Sequence, residues 1–270
     1  MSLARIQQTF DRCRESGRAA FVAYICIGDP NPTTSLEVAR TLLRNGVDIL
    51  ELGIPFSDPL ADGLTNQLAA QRALESGMNT DKTWEMTAQL RKEFPDTPLI
   101  YYCYYNQVFA RDQKYFLQRS AEAGLDGLLI LDLPPEEAGD ICSISKELDL
   151  ANVFIVAPTT SQERLKKICA TASGFIYYVS REGVTGVRQE LASGVNEAIH
   201  AIRQETSLPV VVGFGISQQE HVRATAAIAD GVVVGSALVN QVAKSPESPQ
   251  QILESLKSLM AELTPGLVRG

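Results

Sequence analysis

A chain of 270 residues, 45% hydrophobic, can bury a large core, and its formal charge of −8 argues against nucleic acid or an anionic membrane as partner. Five cysteines, odd in number and without a CxxC pair, and two histidines support neither a disulfide framework nor a zinc site. No apolar run reaches the roughly 20 residues that span a bilayer, and the opening MSLARIQQTFDRCRESG is charged and amphipathic without a signal-peptide centre, so reduced thiols and a cytoplasmic location are expected.

Read for hydrophobic period, short β-branched runs alternate with longer amphipathic ones. In chain order the prediction is strand Ala20 to Ile27, helix Thr33 to Asn45, strand Asp48 to Gly53, helix Thr80 to Phe94, strand Leu99 to Cys103 and helix Asp112 to Ala123. It continues with strand Gly127 to Asp132, helix Pro135 to Leu148, strand Asn152 to Ala157, helix Gln162 to Thr171, strand Gly174 to Ser180 and helix Leu191 to Glu205. Strand Pro209 to Gly213, helix Gln218 to Ile228, strand Gly231 to Val234 and helix Ser248 to Leu263 complete it. Strand and helix alternating eight times predict an α/β fold, a single (β/α)8 TIM barrel over residues 1–270, with an open doubly wound sheet as the alternative. Gly46-Val47-Asp48, Gly124-Leu125-Asp126 and the looser Ala229-Asp230-Gly231 each close a helix and open a strand, as a repeated joint would.

The second strand carries Glu51, and the stretch ELGIPFSDPLADG brings a second carboxylate, Asp62, into the loop that follows. Side chains alternate along a strand, so Ile49 and Glu51 share a face, and in a parallel sheet covered on both sides either face is apolar. A carboxylate there shifts its pKa or finds a partner, and strand ends with their loops are where barrel enzymes keep reactive groups. Glu51 and Asp62 therefore read as an acid/base pair. The alternatives are a structural ion pair with Arg or Lys, and a turn-capping role for Asp62.

Glycine clusters follow the sixth, seventh and eighth strands: Gly183-Val184-Thr185-Gly186, Gly213-Phe214-Gly215 and Gly235-Ser236. In a barrel these meet at one corner of the C-terminal face, where backbone N–H groups and a short helix's start receive a phosphate without any Lys or Arg. Tyr177 and Tyr178 are neighbours on the sixth strand, so only one enters the barrel mouth; parity does not choose, and a wet-rim hydroxyl is the reading for Tyr178. The polar segment 181–190 is a candidate lid or a plain surface loop. His200 and His221 fall inside helical patterns as structural or solvent-facing residues, and Trp84 with Tyr101, Tyr102, Tyr104 and Tyr105 read as packing, with a tyrosine at the end of the third strand also able to line a pocket.

Through Gly28-Asp29-Pro30, ELGIPFSDPLADG, Tyr104-Tyr105-Asn106, Asp132-Leu133-Pro134, SREGVTG at 180–186, Gly213-Phe214-Gly215-Ile216-Ser217 and Gly235-Ser236-Ala237, nearly the whole chain resembles the tryptophan synthase α-subunit family. The resemblance implies a (β/α)8 barrel and retro-aldol cleavage of indole-3-glycerol phosphate to indole and glyceraldehyde 3-phosphate. It also implies no metal or organic cofactor, and a pyridoxal-phosphate β subunit that receives the indole in an α2β2 complex. By motif, Glu51 resembles the family's general acid/base, Asp62 the carboxylate that binds the indole N–H, and Tyr177 the active-site tyrosine. Gly186, Gly215, Gly235 and Ser236 match phosphate-binding positions, while Tyr24, Tyr102, Leu129, Phe214 and Val233 match the pocket lining. Leu64, Asn66 and Ala23 depart from the family pattern, the first standing where Pro is usual and so expected to loosen the Asp62 loop. Competing functions are a free-standing indole-releasing lyase, a mainly partner-activating subunit, and another phosphate-binding barrel such as a sugar-phosphate isomerase.

Overall fold

The computed structural model describes residues 2–179, 189–213 and 215–269, with the backbone alone at 189–193. Eight strands, β1 (Ala20–Cys26), β2 (Ile49–Gly53), β3 (Leu99–Cys103), β4 (Gly127–Ile130), β5 (Ala151–Val156), β6 (Ile176–Val179), β7 (Val210–Gly213) and β8 (Gly231–Val234), pair in sequence order, and β8 returns to β1. Every pairing is parallel, so the sheet closes as a (β/α)8 barrel and the open-sheet alternative falls. Strand limits lie within two residues of those expected from sequence.

The helices are α1 (Ser2–Glu15), α2 (Pro32–Arg44), α3 (Leu64–Glu75), α4 (Thr80–Glu93), α5 (Tyr105–Phe109) and α6 (Gln113–Glu122). After them come α7 (Gly139–Glu147), α8 (Gln162–Thr171), α9 (Gln189–Glu205), α10 (Gln219–Ala226), α11 (Ser236–Lys244) and α12 (Pro249–Leu263). Several starts are set by side chains that satisfy otherwise orphaned N–H groups: Asn31 accepts from Thr34 at 3.0 Å, Asn79 from Lys82 at 3.0 Å and Ser161 from Arg164 at 3.3 Å. The sequence pattern did not single out α3, α5 or α11, which lie in connections after strands. Among the described residues no helix is long and apolar enough to cross a membrane.

Alternation along the strands divides the core in two. Val22, Ile49, Ile100, Leu129, Val153, Val211 and Val233 fill the barrel, and Ile6, Phe10 and Cys13 of α1 plug its N-terminal end, Phe10 meeting Phe175 edge-on at 5.9 Å. Residues of the opposite parity, such as Phe21, Leu50, Leu52, Tyr101, Val212 and Val232, pack beneath the outer helices. Tyr178 belongs to this outer layer, 2% exposed, so its expected place at a wet rim is wrong: parity sends it under the helices and sends Tyr177 inward. Trp84 and Tyr101 are packing residues with their polar atoms matched, the indole N–H donating to Ser120 at 3.0 Å and the phenol paired with Thr87 at 2.7 Å. His200 is exposed, whereas His221 is buried.

The repeated joint has a physical cause at the N-terminal end of the barrel. Asp48, at the entrance to β2, accepts from the Phe21 N–H of β1 at 2.8 Å; Asp126, before β4, from Leu99 of β3 at 2.8 Å; Asp230, before β8, from Val210 of β7 at 3.0 Å. Ser173 completes the set before β6, accepting from Asn152 of β5 at 2.8 Å. Each of these odd strands thus has an early N–H satisfied by a side chain from the joint before the next strand. Arginines neutralise the three carboxylates: Arg18 on Asp48 at 2.6 and 2.7 Å, Arg5 and Arg91 on Asp126, and Arg203 on Asp230 at 3.1 Å.

Candidate active site

At the opposite, C-terminal end, a cavity of about 640 Å³ opens above the apolar filling of the barrel. Its wall includes Tyr24, Glu51, Asp62, Tyr102 and Tyr177, and on the side of the late strands Gly213, Gly215, Gly235 and Ser236. The two carboxylates, the inward tyrosine and the glycines of β7 and β8 are therefore brought together. Gly186, Phe214 and the lid segment 181–190 fall outside the described residues, apart from the backbone at 189–190 where α9 begins. Leu129 and Val233, expected on the wall, lie in the apolar filling instead, 1% and 3% exposed. Leu131, Ile155 and Val179 take the lining positions. A side chain must sit near the C-terminal end of its strand to reach the cavity, and Leu131 stands two residues beyond Leu129 on the same face.

Glu51 is fully buried and faces inward from β2 between Tyr24 of β1 and Ile100 of β3. Neither carboxyl oxygen has a hydrogen-bond partner among the described residues. Among the described residues no cation or donor favours the charge, and burial pushes its pKa up from 4.5 to about 8, which favours the neutral acid at neutral pH. Among the described residues no Arg or Lys forms the structural ion pair weighed for this residue. Tyr177 is held well above the ordinary phenol range, first by burial and then by the proximity of Glu51, and stays a neutral hydroxyl.

Asp62 has different surroundings. Its Oδ1 accepts from the Tyr102 hydroxyl at 2.9 Å and from Asn66 Nδ2 at 3.3 Å, and its Oδ2 accepts from the Tyr104 hydroxyl at 2.8 Å. The loop that carries it is tied down twice more: the Ala61 N–H donates to the Tyr104 oxygen at 3.0 Å, and Gln67 Nε2 donates to the Asp62 carbonyl at 2.8 Å. Tyr104 also stacks on Phe56 at 5.1 Å, and Gln107 accepts the Tyr104 N–H at 3.0 Å while donating to the Pro55 carbonyl at 3.0 Å. Leu64 is simply the first residue of α3, where Pro would also fit. Tyr104 and Gln107 carried no signal in the sequence as neighbours of the Asp62 loop, because that contact joins the connection after β3 to the one after β2, whereas Asn66 stands four residues beyond Asp62 in the same connection.

Gly235 and Ser236 form the start of α11, whose first N–H groups have no partner within the helix, and Gly215 follows β7 with a positive φ of 68°. Among the described residues no Lys or Arg lines the cavity, and those that line it offer an anion backbone donors and the positive end of the helix. Among the described residues no group of three or more His, Cys, Asp or Glu is arranged to hold a metal ion.

The family model described as tryptophan synthase alpha chain matches residues 10–267. The chain is 53% identical over 267 residues to the tryptophan synthase alpha chain of Opitutus terrae, covering 99% of this chain and all of that one. Among solved structures, the tryptophan synthase alpha chain of Legionella pneumophila superposes with a TM-score of 0.88 at 33% identity, covering 97% of each chain. A chain of tryptophan synthase from M. tuberculosis gives 0.88 at 31% identity, covering 98% of this chain and 99% of that one. Matches that run from one end of the barrel to the other place this chain in the tryptophan synthase alpha chain family.

Proposed function

We propose that this lyase cleaves indole-3-glycerol phosphate with Glu51 as its proton shuttle, Asp62 as acceptor for the indole N–H and Tyr177 as the neutral hydroxyl beside Glu51. The reaction is that of the family to which the chain belongs. A proton delivered to indole C3 turns the ring into an electron sink. Removal of the proton from the adjacent glycerol hydroxyl then sends the carbon–carbon electron pair into the ring, releasing indole and glyceraldehyde 3-phosphate.

The observation that carries this reading is the setting of Glu51: fully buried, with neither carboxyl oxygen hydrogen-bonded among the described residues, so that burial raises its pKa toward neutrality and above. Such a group can give its proton to C3 and, once ionised in an apolar wall, take the hydroxyl proton back, which returns it to the starting state. Positive charge grows at N1 while C3 is protonated, and a fixed carboxylate such as Asp62 stabilises it without reorganising. The phosphate would rest on the backbone of Gly215, Gly235 and Ser236, with Gly186 the further family-matched position.

The alpha chain family pairs with a β subunit, and we infer for this chain an α2β2 complex with a pyridoxal-phosphate β subunit that receives the indole. The test is indole release from indole-3-glycerol phosphate by the isolated chain and by Glu51→Gln, each with and without a β subunit. The expected result is slow release by the chain alone, a roughly 5- to 150-fold rise with the partner, and loss in the Gln variant under both conditions. Full activity unchanged by the partner would instead mark a free-standing lyase.

A further inference from the structure

We propose that Tyr102 and Asn66 are positioning residues that together saturate Oδ1 of Asp62, leaving the open lone-pair site on Oδ2 as the one that takes the substrate's N–H. The inference deepens the reading of Asp62 above and depends on it. An ionised carboxylate offers about four acceptor sites, two on each oxygen. Tyr102 and Asn66 occupy both sites on Oδ1, and Tyr104 occupies one on Oδ2. Among the described residues one site remains, and it belongs to Oδ2.

Tyr102 is built for this task. Its ring is fixed edge-on against Tyr24 at 4.8 Å, and among the described residues Asp62 is the one hydrogen-bond partner of its hydroxyl. A phenylalanine there would keep the packing and lose only the donor. Tyr104 is less clean, because its oxygen also holds the Ala61 N–H and with it the loop.

Asn66 carries a cost that such a role explains. Its Nδ2 reaches Asp62, but its Oδ1 is buried with no partner among the described residues. Reversing the amide would set a carbonyl against a carboxylate and leave the NH2 orphaned instead. A buried acceptor left unpaired destabilises a fold, and an apolar side chain of similar size would remove that penalty. The amide thus serves Asp62 at the expense of stability.

Both donors act through Asp62, and the charge they help to place matters most when it develops at N1. Their loss should therefore lower kcat rather than raise KM. Tyr102→Phe is expected to reduce kcat for indole-3-glycerol phosphate about tenfold with KM within about threefold of the parent. Asn66→Leu is expected to reduce kcat about threefold while raising Tm by about 2 to 4 °C. In an Asp62→Asn background, followed by single turnover with enzyme in excess, each substitution should have less than half its effect on log rate, since the group it positions is gone.

Tyr102→Phe with parental kcat, or with a loss carried undiminished into Asp62→Asn, makes Tyr102 a wall residue and overturns the proposal. So does Asn66→Leu if Tm falls. If Asp62→Asn itself turns over at the parental rate, the reading of Asp62 fails and this inference with it. An impaired Asp62→Asn beside an unimpaired Tyr102→Phe rejects the inference alone.

Discussion

The two ends of this barrel treat the same kind of side chain in opposite ways. At the N-terminal end Asp48, Asp126 and Asp230 each meet an arginine and a backbone N–H, so their charges are matched. At the C-terminal end, among the described residues, Glu51 has no partner and Asp62 is held by neutral hydroxyls and an amide alone. Pairing makes a carboxylate inert and the joint between strands firm. Withholding a partner leaves a proton that can move. On the proposed reading, stability and chemistry are separated along the barrel axis, as strand ends facing the βα connections are free to vary in a way the packed opposite end is not.

The sharpest way to break this contrast is to remove a carboxylate at each end. Glu51→Gln keeps shape and neutrality but cannot shuttle a proton, so indole release should fall by about 10² to 10⁴. Its thermal stability at pH 7 should equal or exceed the parent's, since the folded state already holds the uncharged acid. Turnover within about threefold of the parent would remove Glu51 from the mechanism.

Asp126→Asn should do the reverse. Asp126 is completely buried between Arg5 and Arg91, and its loss leaves two guanidinium groups beside an amide. Breaking such a pair costs about 3 kcal/mol, read as a lower denaturation midpoint, while kcat per folded molecule stays parental. An equal loss of kcat would mean that the two ends are coupled.

Acidity sharpens the comparison further. Glu51 ionises near 4.5 when unfolded and at about 8 when folded, so the unfolded state gains its charge first. The contribution of Glu51 to stability is therefore greatest below pH 4.5, declines as pH rises toward 8 and is level above. Glu51→Gln should gain steadily on the parent across that window, and kcat/KM of the parent should fall above about pH 8 as the neutral acid is lost. Parallel stability curves for parent and variant from pH 5 to 8 would place the folded pKa at its ordinary value.

Much of this was legible in the sequence because strand period tells which residues share a face. Ile49 and Glu51 share a face, so a carboxylate set among apolar neighbours could be read from two-residue spacing, though not which face turns inward, and the Gly-Val-Asp and Gly-Leu-Asp joints marked the matched end. Depth was not legible: Leu129 and Val233 point inward as expected, yet height along the strand decides whether a residue lines the cavity or fills the barrel. Helix α3 escaped notice because its buried face is Ala69, Ala70 and Ala73, side chains too small to mark a strong apolar stripe. The grip of Tyr104 on Asp62 joins separate connections, which no local pattern reports.

The smallest expected effect concerns how tightly the chemical end is packed. Gly213 faces the cavity from β7, and a Cβ built there would lie 2.5 Å from the Tyr177 hydroxyl and 2.9 Å from the Val233 Cβ. Gly213→Ala should therefore overpack the wall, costing about 1 to 3 kcal/mol, and should push the phenol away from Glu51. Removing the hydroxyl relieves the first clash and leaves the second. Tyr177→Phe in the Gly213→Ala background should restore about 1 kcal/mol relative to the sum of the single changes, measured as a coupling energy from denaturant unfolding. Strict additivity would show that the wall yields at Val233 instead, and that the glycine is not there to seat Tyr177.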